Sequence, residues 1–409
     1  MLAMLARAAT VVVLGLALVS PSLAQAPQVS LPPGFHLEVF ASDLGGPRFM
    51  VLDPTGTLLV SIPSRGRVVA LPDKNGHGKP DAVVTVADGL TQPHGLAFKD
   101  GQLYVAETGR VLRFNYDAAT MKASQPTVIV PSLPTGGHWT RTLAFGSDGR
   151  LYVSIGSSCN ICRESDSRRA AIMRYRPNGS SGELFASGLR NAVGIAFHPG
   201  TGVLWATVNE RDWMGDDVPP DLITEVREGG FYGWPDCFTA GGRRVPDSRV
   251  LKGERCPAMI TPSLEIQAHS APLGLAFYTG QHFPAEYRGS LFVAYHGSWN
   301  RSVPTGYKVV RVKFDAGKAT AVEDFATGFL SAGTVSARPV DLLVGRDGAL
   351  YLSSDQFARD IFRITYRPRW GPVSSISRTL SSMATGWKGL GRRTMPGSST
   401  PWRPSASCV

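Results

Sequence analysis

The sequence has little helical periodicity, and that absence removes most architectures. Its apolar residues run in short stretches that alternate or stay apolar, bounded by Asp-Gly, Asn-Gly and Pro, which points to an all-β protein. Long apolar runs are also missing. Only Ala8 to Val19 stands out, and it is too short to cross a bilayer. Arg7 precedes it and Ser22-Leu23-Ala24 follows, so residues 1–24 read as an export leader. The expectation is a periplasmic or secreted protein with no membrane span.

Acid is absent from residues 367–409, where Arg367, Arg369, Arg378, Lys388, Arg392, Arg393 and Arg403 collect. These and Arg7 account for most of the net charge of +10, leaving about +2 on residues 25–366. A nucleic-acid partner therefore loses its main support. Ser, Gly, Pro and Thr dominate after Tyr366, and 367–409 is expected to be a disordered tail.

Cysteine is scarce, with 5 in the chain. Cys159-Asn160-Ile161-Cys162 is no c-type haem site, because Arg163 stands where a His is needed. Cys237 and Cys256 are too far apart in sequence to supply a second zinc-ligand pair. No βαβ setting supports a redox pair. In an exported chain these residues are expected to form loop-stapling disulfides, with Cys237 to Cys256 closing a long insertion between the fourth and fifth repeats and Cys408 left over. The Asp73–Asp81 loop resembles a calcium loop but has His77 at its fifth position and Val84 at its twelfth, where a bidentate Glu is required.

What the sequence does have is a phrase repeated about six times: a short apolar strand, a tight Gly or Asp-Gly turn, and a second strand. Copies include Gly95-Leu96-Ala97-Phe98, Leu143-Ala144-Phe145, Gly194-Ile195-Ala196-Phe197, Gly274-Leu275-Ala276-Phe277 and Val340-Asp341-Leu342-Leu343. This spacing predicts a six-bladed β-propeller of four-stranded antiparallel blades over residues 25–366. The innermost strands line the axis, and the residues just ahead of them sit at one mouth of the channel. That list is cationic: Arg48, His94, His138 with Arg141, Arg190-Asn191 and Arg338. The loop His296-Gly297-Ser298-Trp299-Asn300-Arg301 adds donors and an aromatic. Unpaired like charges gathered in a pocket call for an anionic ligand, and arginine's planar fork suits carboxylates.

At these residues the chain resembles the soluble pyrroloquinoline quinone (PQQ)-dependent sugar dehydrogenases, in particular a sorbosone dehydrogenase-like branch. The resemblance runs from about Leu31 to Tyr366 and rests on ordered blocks. These are Gly137-His138-Trp139-Thr140-Arg141-Thr142, Gly156-Ser157-Ser158-Cys159, Gly188-Leu189-Arg190-Asn191, Gly229-Gly230-Phe231-Tyr232-Gly233-Trp234-Pro235 and Arg338-Pro339-Val340-Asp341. It implies a quinone and Ca2+ at the channel mouth, and oxidation of a sugar or sugar-derived aldehyde. His138 matches the catalytic base, and Arg190 would stabilise charge on the reduced quinone. Arg48, His94, Asn191, Arg301 and Arg338 are the further cofactor candidates. The metal would sit near Arg211 and Asp212, in Asn209-Glu210-Arg211-Asp212, partly on backbone carbonyls; the run Asp212, Asp216, Asp217 and Asp221 is either a hard-cation site or a solvated acidic loop. His94 and Val193 depart from the glucose-oxidising pattern. With no fused cytochrome, electrons would pass to a separate acceptor, a cytochrome or quinone. The rival readings are a metal-dependent lactonase propeller and a non-catalytic propeller that binds glycan or protein.

Overall fold

The structure, a computed structural model, describes residues 27–250 and 254–368. The expected leader, the expected tail beyond Pro368 and Cys408 lie outside the described residues.

The repeats fold as six sheets around an axis, each built on at least three antiparallel strands consecutive in the chain. Blade one begins with Met50–Leu52, blade two with Leu96–Lys99 and blade three with Leu143–Phe145. Blade four begins with Ala192–Phe197, blade five with Pro272–Phe277 and blade six with Ala337–Val344. The ring closes when Phe35–Ala41, from the start of the domain, pairs with Ile361–Tyr366 at its end. The first and last strands thus leave no unpaired edge between them.

Two features differ from the expected layout. The long insertion falls inside blade four, after Asp221–Val226 and before its outer strand Leu264–Ile266, not between blades four and five. Part of it, Gly230–Phe231, adds a short parallel strand to blade three beside Glu183–Ser187. The reason is local: Phe231 finds an apolar neighbourhood with Cys237, Cys256 and Met259. Cys237 and Cys256 meet in that cluster but remain buried free thiols, so the expected bridge between them is not formed. Apolar burial already holds the insertion there. The Cys159–Cys162 bridge is formed.

The glycine of the repeated phrase has a packing role. A methyl group on Gly95 would lie 2.5 Å from the Arg141 carbonyl oxygen, and one on Gly194 would lie 2.2 Å from that of Leu273. On Gly274 it would lie 2.6 Å from the Asp341 Cα. Neighbouring inner strands touch backbone to backbone at these points.

Buried hydroxyls stitch the same contacts. Ser61 Oγ donates to the His94 carbonyl at 2.7 Å, Thr207 Oγ1 to Leu273 at 2.6 Å and Ser353 Oγ to Arg48 at 2.6 Å. Thr142 Oγ1 donates to the Val193 carbonyl, and the Met50 amide donates to Asp341 Oδ2 at 2.8 Å. Each bond joins one blade to the next. Phe49, Val193, Leu273 and Val340, from four blades, fill the space between them with apolar surface.

Gly274→Ala is therefore expected to destabilise the protein by about 1–3 kcal/mol, the range for an overpacked core. A urea-unfolding midpoint equal to that of the parent would refute this account of the axial glycines.

Candidate active site

Starting each inner strand at the axis brings the residues ahead of it to one mouth. There a cavity of about 360 Å³ is lined by Arg48, His138, Arg190, Asn191, His296 and Arg338, among others. Val193 and Leu273 belong both to its lining and to the buried apolar cluster at the axis.

His138 is oriented from behind. Its Nδ1 lies 2.9 Å from the Ser157 carbonyl oxygen and 3.0 Å from Ser157 Oγ. A carbonyl can only accept, so Nδ1 carries the proton and Nε2 keeps its lone pair. Gly156 makes room for this ring: a methyl there would lie 2.6 Å from the His138 Cβ and 2.5 Å from Asn191 Oδ1. Burial, and then the positive charge of Arg190, lowers the imidazole's pKa to about 4.

The arginines are only partly available. Arg48 NH1 pairs with Asp355 at 2.7 Å, and its Nε is buried without a partner. Arg338 Nε and NH2 donate to the carbonyls of His296 and Gly297 at 3.0 and 2.6 Å. Both guanidinium groups keep unspent N–H bonds. Arg190 keeps none. It donates to both the carbonyl and the side chain of Asn160, to the carbonyls of Asn209 and Glu210, and to Asp212 Oδ2. Its charge reaches the cavity, while its hydrogen bonds hold the wall together.

His94 and Arg301 are brought elsewhere. His94 is fully buried outside the cavity lining, with Phe49 and Trp139 at ring distances of 4.2 and 5.3 Å, and its Nδ1 meets the Arg141 carbonyl at 3.1 Å. Arg301 turns to the carbonyls of Asp216 and Val303 and to Asp217. Asn191 lines the cavity with its Oδ1 unpartnered. The Arg211 side chain leaves the site for Asp247 at 2.6 Å, whereas Asp212 lines the cavity.

One group behind the cavity wall, Asp355, was not singled out by the sequence reading. Asp355 joins Arg48 to His296, whose Nε2 lies 2.8 Å from Asp355 Oδ1. Burial alone would raise the Asp355 pKa, but the His296 hydrogen bond and the Arg48 charge hold it well below the usual carboxylate range. Asp355 lies within the second strand of blade six, Leu350–Phe357, past the apolar pattern that marks this strand in the sequence.

Glu210 and Asp221 are buried acids on the cavity wall. Burial pushes them up to about 8 and about 7, and the Asp221 charge adds to the shift at Glu210. Asp221 accepts hydrogen bonds from the Glu210 and Ala271 amides, each at 2.9 Å. The Asp73–Asp81 loop spends its carboxylates on its own backbone, with Asp73 accepting from His77 and Gly78 at 3.0 and 2.9 Å.

The site thus combines a neutral imidazole with a free Nε2, two guanidinium groups with donors to spare, and a wall of oxygen ligands. A polyanionic ligand fits the unspent donors of Arg48 and Arg338. The orphaned Arg48 Nε and Asn191 Oδ1 are the kind of buried polar atoms that a ligand satisfies.

The sequence model of the TrAA12-like family matches residues 29–367. An uncharacterised protein of Borreliella burgdorferi is 30% identical over 357 residues, covering 83% of this chain and 91% of that one. A pyrroloquinoline quinone-dependent pyranose dehydrogenase of Coprinopsis cinerea is 28% identical, and the match covers 80% of this chain and 53% of that enzyme, about half its length. The holo form of the PQQ domain of a Coprinopsis cinerea pyranose dehydrogenase superposes with a TM-score of 0.73 at 26% identity, covering 84% of this chain and 99% of the domain.

A buried, Arg-facing imidazole should titrate late. NMR of the His138 ring is expected to show a neutral, Nδ1-protonated tautomer down to about pH 4. The folded pKa lies below the ordinary value of 6.5, so this group's contribution to stability is complete above pH 6.5 and is lost as pH falls through about 4. A midpoint near 6.5 would contradict the described burial.

Proposed function

The chain belongs to the TrAA12-like family, and from that membership we propose that it is an exported PQQ-dependent dehydrogenase that oxidises a sugar or sugar-derived aldehyde. The observation that carries this reading is the pairing, in one cavity, of a tautomerically fixed His138 with the unspent donors of Arg48 and Arg338.

Arg48 and Arg338 would hold the carboxylates of the cofactor, and their planar forks suit that geometry better than point charges. When bound, the quinone supplies a two-electron acceptor for the hydride that leaves the oxidised carbon of the substrate. His138 takes the hydroxyl proton of that carbon at Nε2, while the Ser157 carbonyl holds Nδ1–H and keeps the ring from turning. An anion held between Arg48 and Arg338 offsets the cationic field at His138 and so raises its basicity. Arg190 contributes positive charge at short range through a guanidinium fixed by Asn160 and Asp212.

Calcium fits the acidic wall. Burial disfavours the ionisation of Glu210 and Asp221, with the Asp221 charge adding to it at Glu210, and a divalent cation beside them and Asp212 would let both ionise. The carbonyls of Asn209 and Glu210, each with a second lone pair, would add hard oxygen ligands.

Export rests on the leader at residues 1–24. No helix among the described residues is long and apolar enough to cross a membrane. The acceptor of the electrons would be a separate cytochrome or quinone.

The decisive experiment supplies the purified protein with pyrroloquinoline quinone and calcium and follows dye reduction with aldoses, sorbosone and simple aldehydes. Quinone-dependent reduction is expected, and its absence across the panel with no binding of the quinone would remove the proposal. His138→Ala should lower kcat by about two to four orders of magnitude while the quinone still binds. Arg338→Ala should weaken the quinone about tenfold or more, since one charge-assisted hydrogen bond is worth roughly that. Equal quinone affinity in the Arg338 variant, read by fluorescence titration, would count against its part in the site.

A further inference from the structure

Two indoles stand in solvent at the rim of the cavity. Trp213 is 62% exposed and Trp299 is 65% exposed, and their rings meet edge to face at 5.2 Å. Trp299 also lines the cavity. Among the described residues the other exposed large aromatic side chain, Phe357, has no aromatic partner. Aromatic surface of this size is normally buried, so a touching pair left in water calls for an occupant.

The pair is held out rather than left loose. Trp213 has φ +70°, a left-handed conformation that a bulky side chain rarely takes. Its loop is pinned on both sides. Asp212 accepts from Asn300 Nδ2 at 2.7 Å, and the Gly215 carbonyl meets His269 Nε2 at 2.9 Å. Arg301 binds the Asp216 carbonyl and Asp217 Oδ1, and the Ser302 amide binds Asp216 Oδ1 at 3.1 Å. These bonds tie the two tryptophan-bearing loops to each other and fix the indoles before any ligand arrives. Arg301, which lies outside the cavity, has its place here.

We propose that Trp213 and Trp299 form a stacking platform for a further sugar ring, so that the enzyme acts on the end of an oligosaccharide in preference to a free monosaccharide. This rests on the sugar dehydrogenase reading and deepens it. The chemistry of the rim supports a sugar. A pyranose chair has an apolar C–H face and a polar edge. The indole faces match the first, and Asp216, Asp217 and Ser302 beside them match the second. The space also agrees: about 360 Å³ is at the small end of ligand pockets, and it must hold the cofactor and the reacting ring. A second ring has to lie outside, where the indoles are.

The test compares glucose, cellobiose, cellotriose, maltose and maltotriose on the quinone-loaded full-length protein, with Trp213→Ala, Trp299→Ala and, as a control, Phe357→Ala. The ratio of trisaccharide to glucose kcat/KM is expected to fall about tenfold in both tryptophan variants and to stay within about twofold in the control. Independently of turnover, titrating the cofactor-free parent with either trisaccharide should shift and saturate its indole emission. The Trp213 variant should lose that response while keeping the parent circular dichroism spectrum. An unchanged ratio in folded tryptophan variants would overturn the platform. So would a defect seen only with a protein electron acceptor and never with a dye, which would assign the pair to a docking partner. If no sugar is oxidised at all, the dehydrogenase reading falls, and the emission titration still decides whether the indoles bind sugar.

Discussion

The hydrogen bonds from each blade to the start of the next blade's inner strand, with the glycine contacts between inner strands, are the constraint on which the site depends. A hydroxyl or amide of one blade binds a backbone carbonyl or buried carboxylate of the next, and Gly95, Gly194 and Gly274 let the backbones come close enough for this. Each bond is modest alone, but breaking one leaves a buried polar group unpaired, which is the larger penalty. The ring therefore resists distortion, and residues immediately ahead of the inner strands inherit that rigidity. His138, Arg48 and Arg190 are such residues.

Rigidity also explains how positive charge can be concentrated at one mouth. Each guanidinium group is partly satisfied by the protein itself: Arg48 by Asp355, Arg338 by two loop carbonyls, and Arg190 by its whole set of partners. What remains is a measured excess of donors rather than a bare cluster of cations. Asn160 matters here although it is no charged group. Its side chain and carbonyl bind Arg190, Asp212 and the Trp234 indole, and the Cys159–Cys162 bridge closes the loop around it. Arg190 thus acts on the cavity by its field, while its N–H groups serve the scaffold.

Much of this was legible before any coordinates. The repeated Gly-Leu-Ala-Phe phrase marks inner strands, and the polar residues ahead of it include His138, Arg48, Arg190 and Arg338, all of which line the cavity. His94 was read from the same position, yet it lies below Trp139, because blade two's approach to the Arg141 backbone draws it into the interior. Glu210 and Asp221 fell in the stretches read as metal-binding, and both line the cavity, but Asp355 left little signal. It lies within Leu350–Phe357, beyond the short apolar pattern by which the sequence marks that strand. The Cys237–Cys256 bridge was expected from compartment alone, and side-chain packing brings the two thiols into one cluster without joining them.

The amino-acid sequence by itself determined the six-fold repeat, the all-β architecture and the cationic character of one channel mouth. Those properties rest on patterns a few residues long, since each blade is built on at least three strands consecutive in the chain. Only the tertiary structure decided which cations face the cavity with donors to spare and which are spent on the scaffold. Arg338 and Arg301 look alike in sequence; one opens onto the cavity and the other rivets two rim loops, because their partners come from segments tens of residues away. Closure of the ring through Phe35–Ala41 and Ile361–Tyr366 brings those segments together, and no local pattern encodes the distances that result.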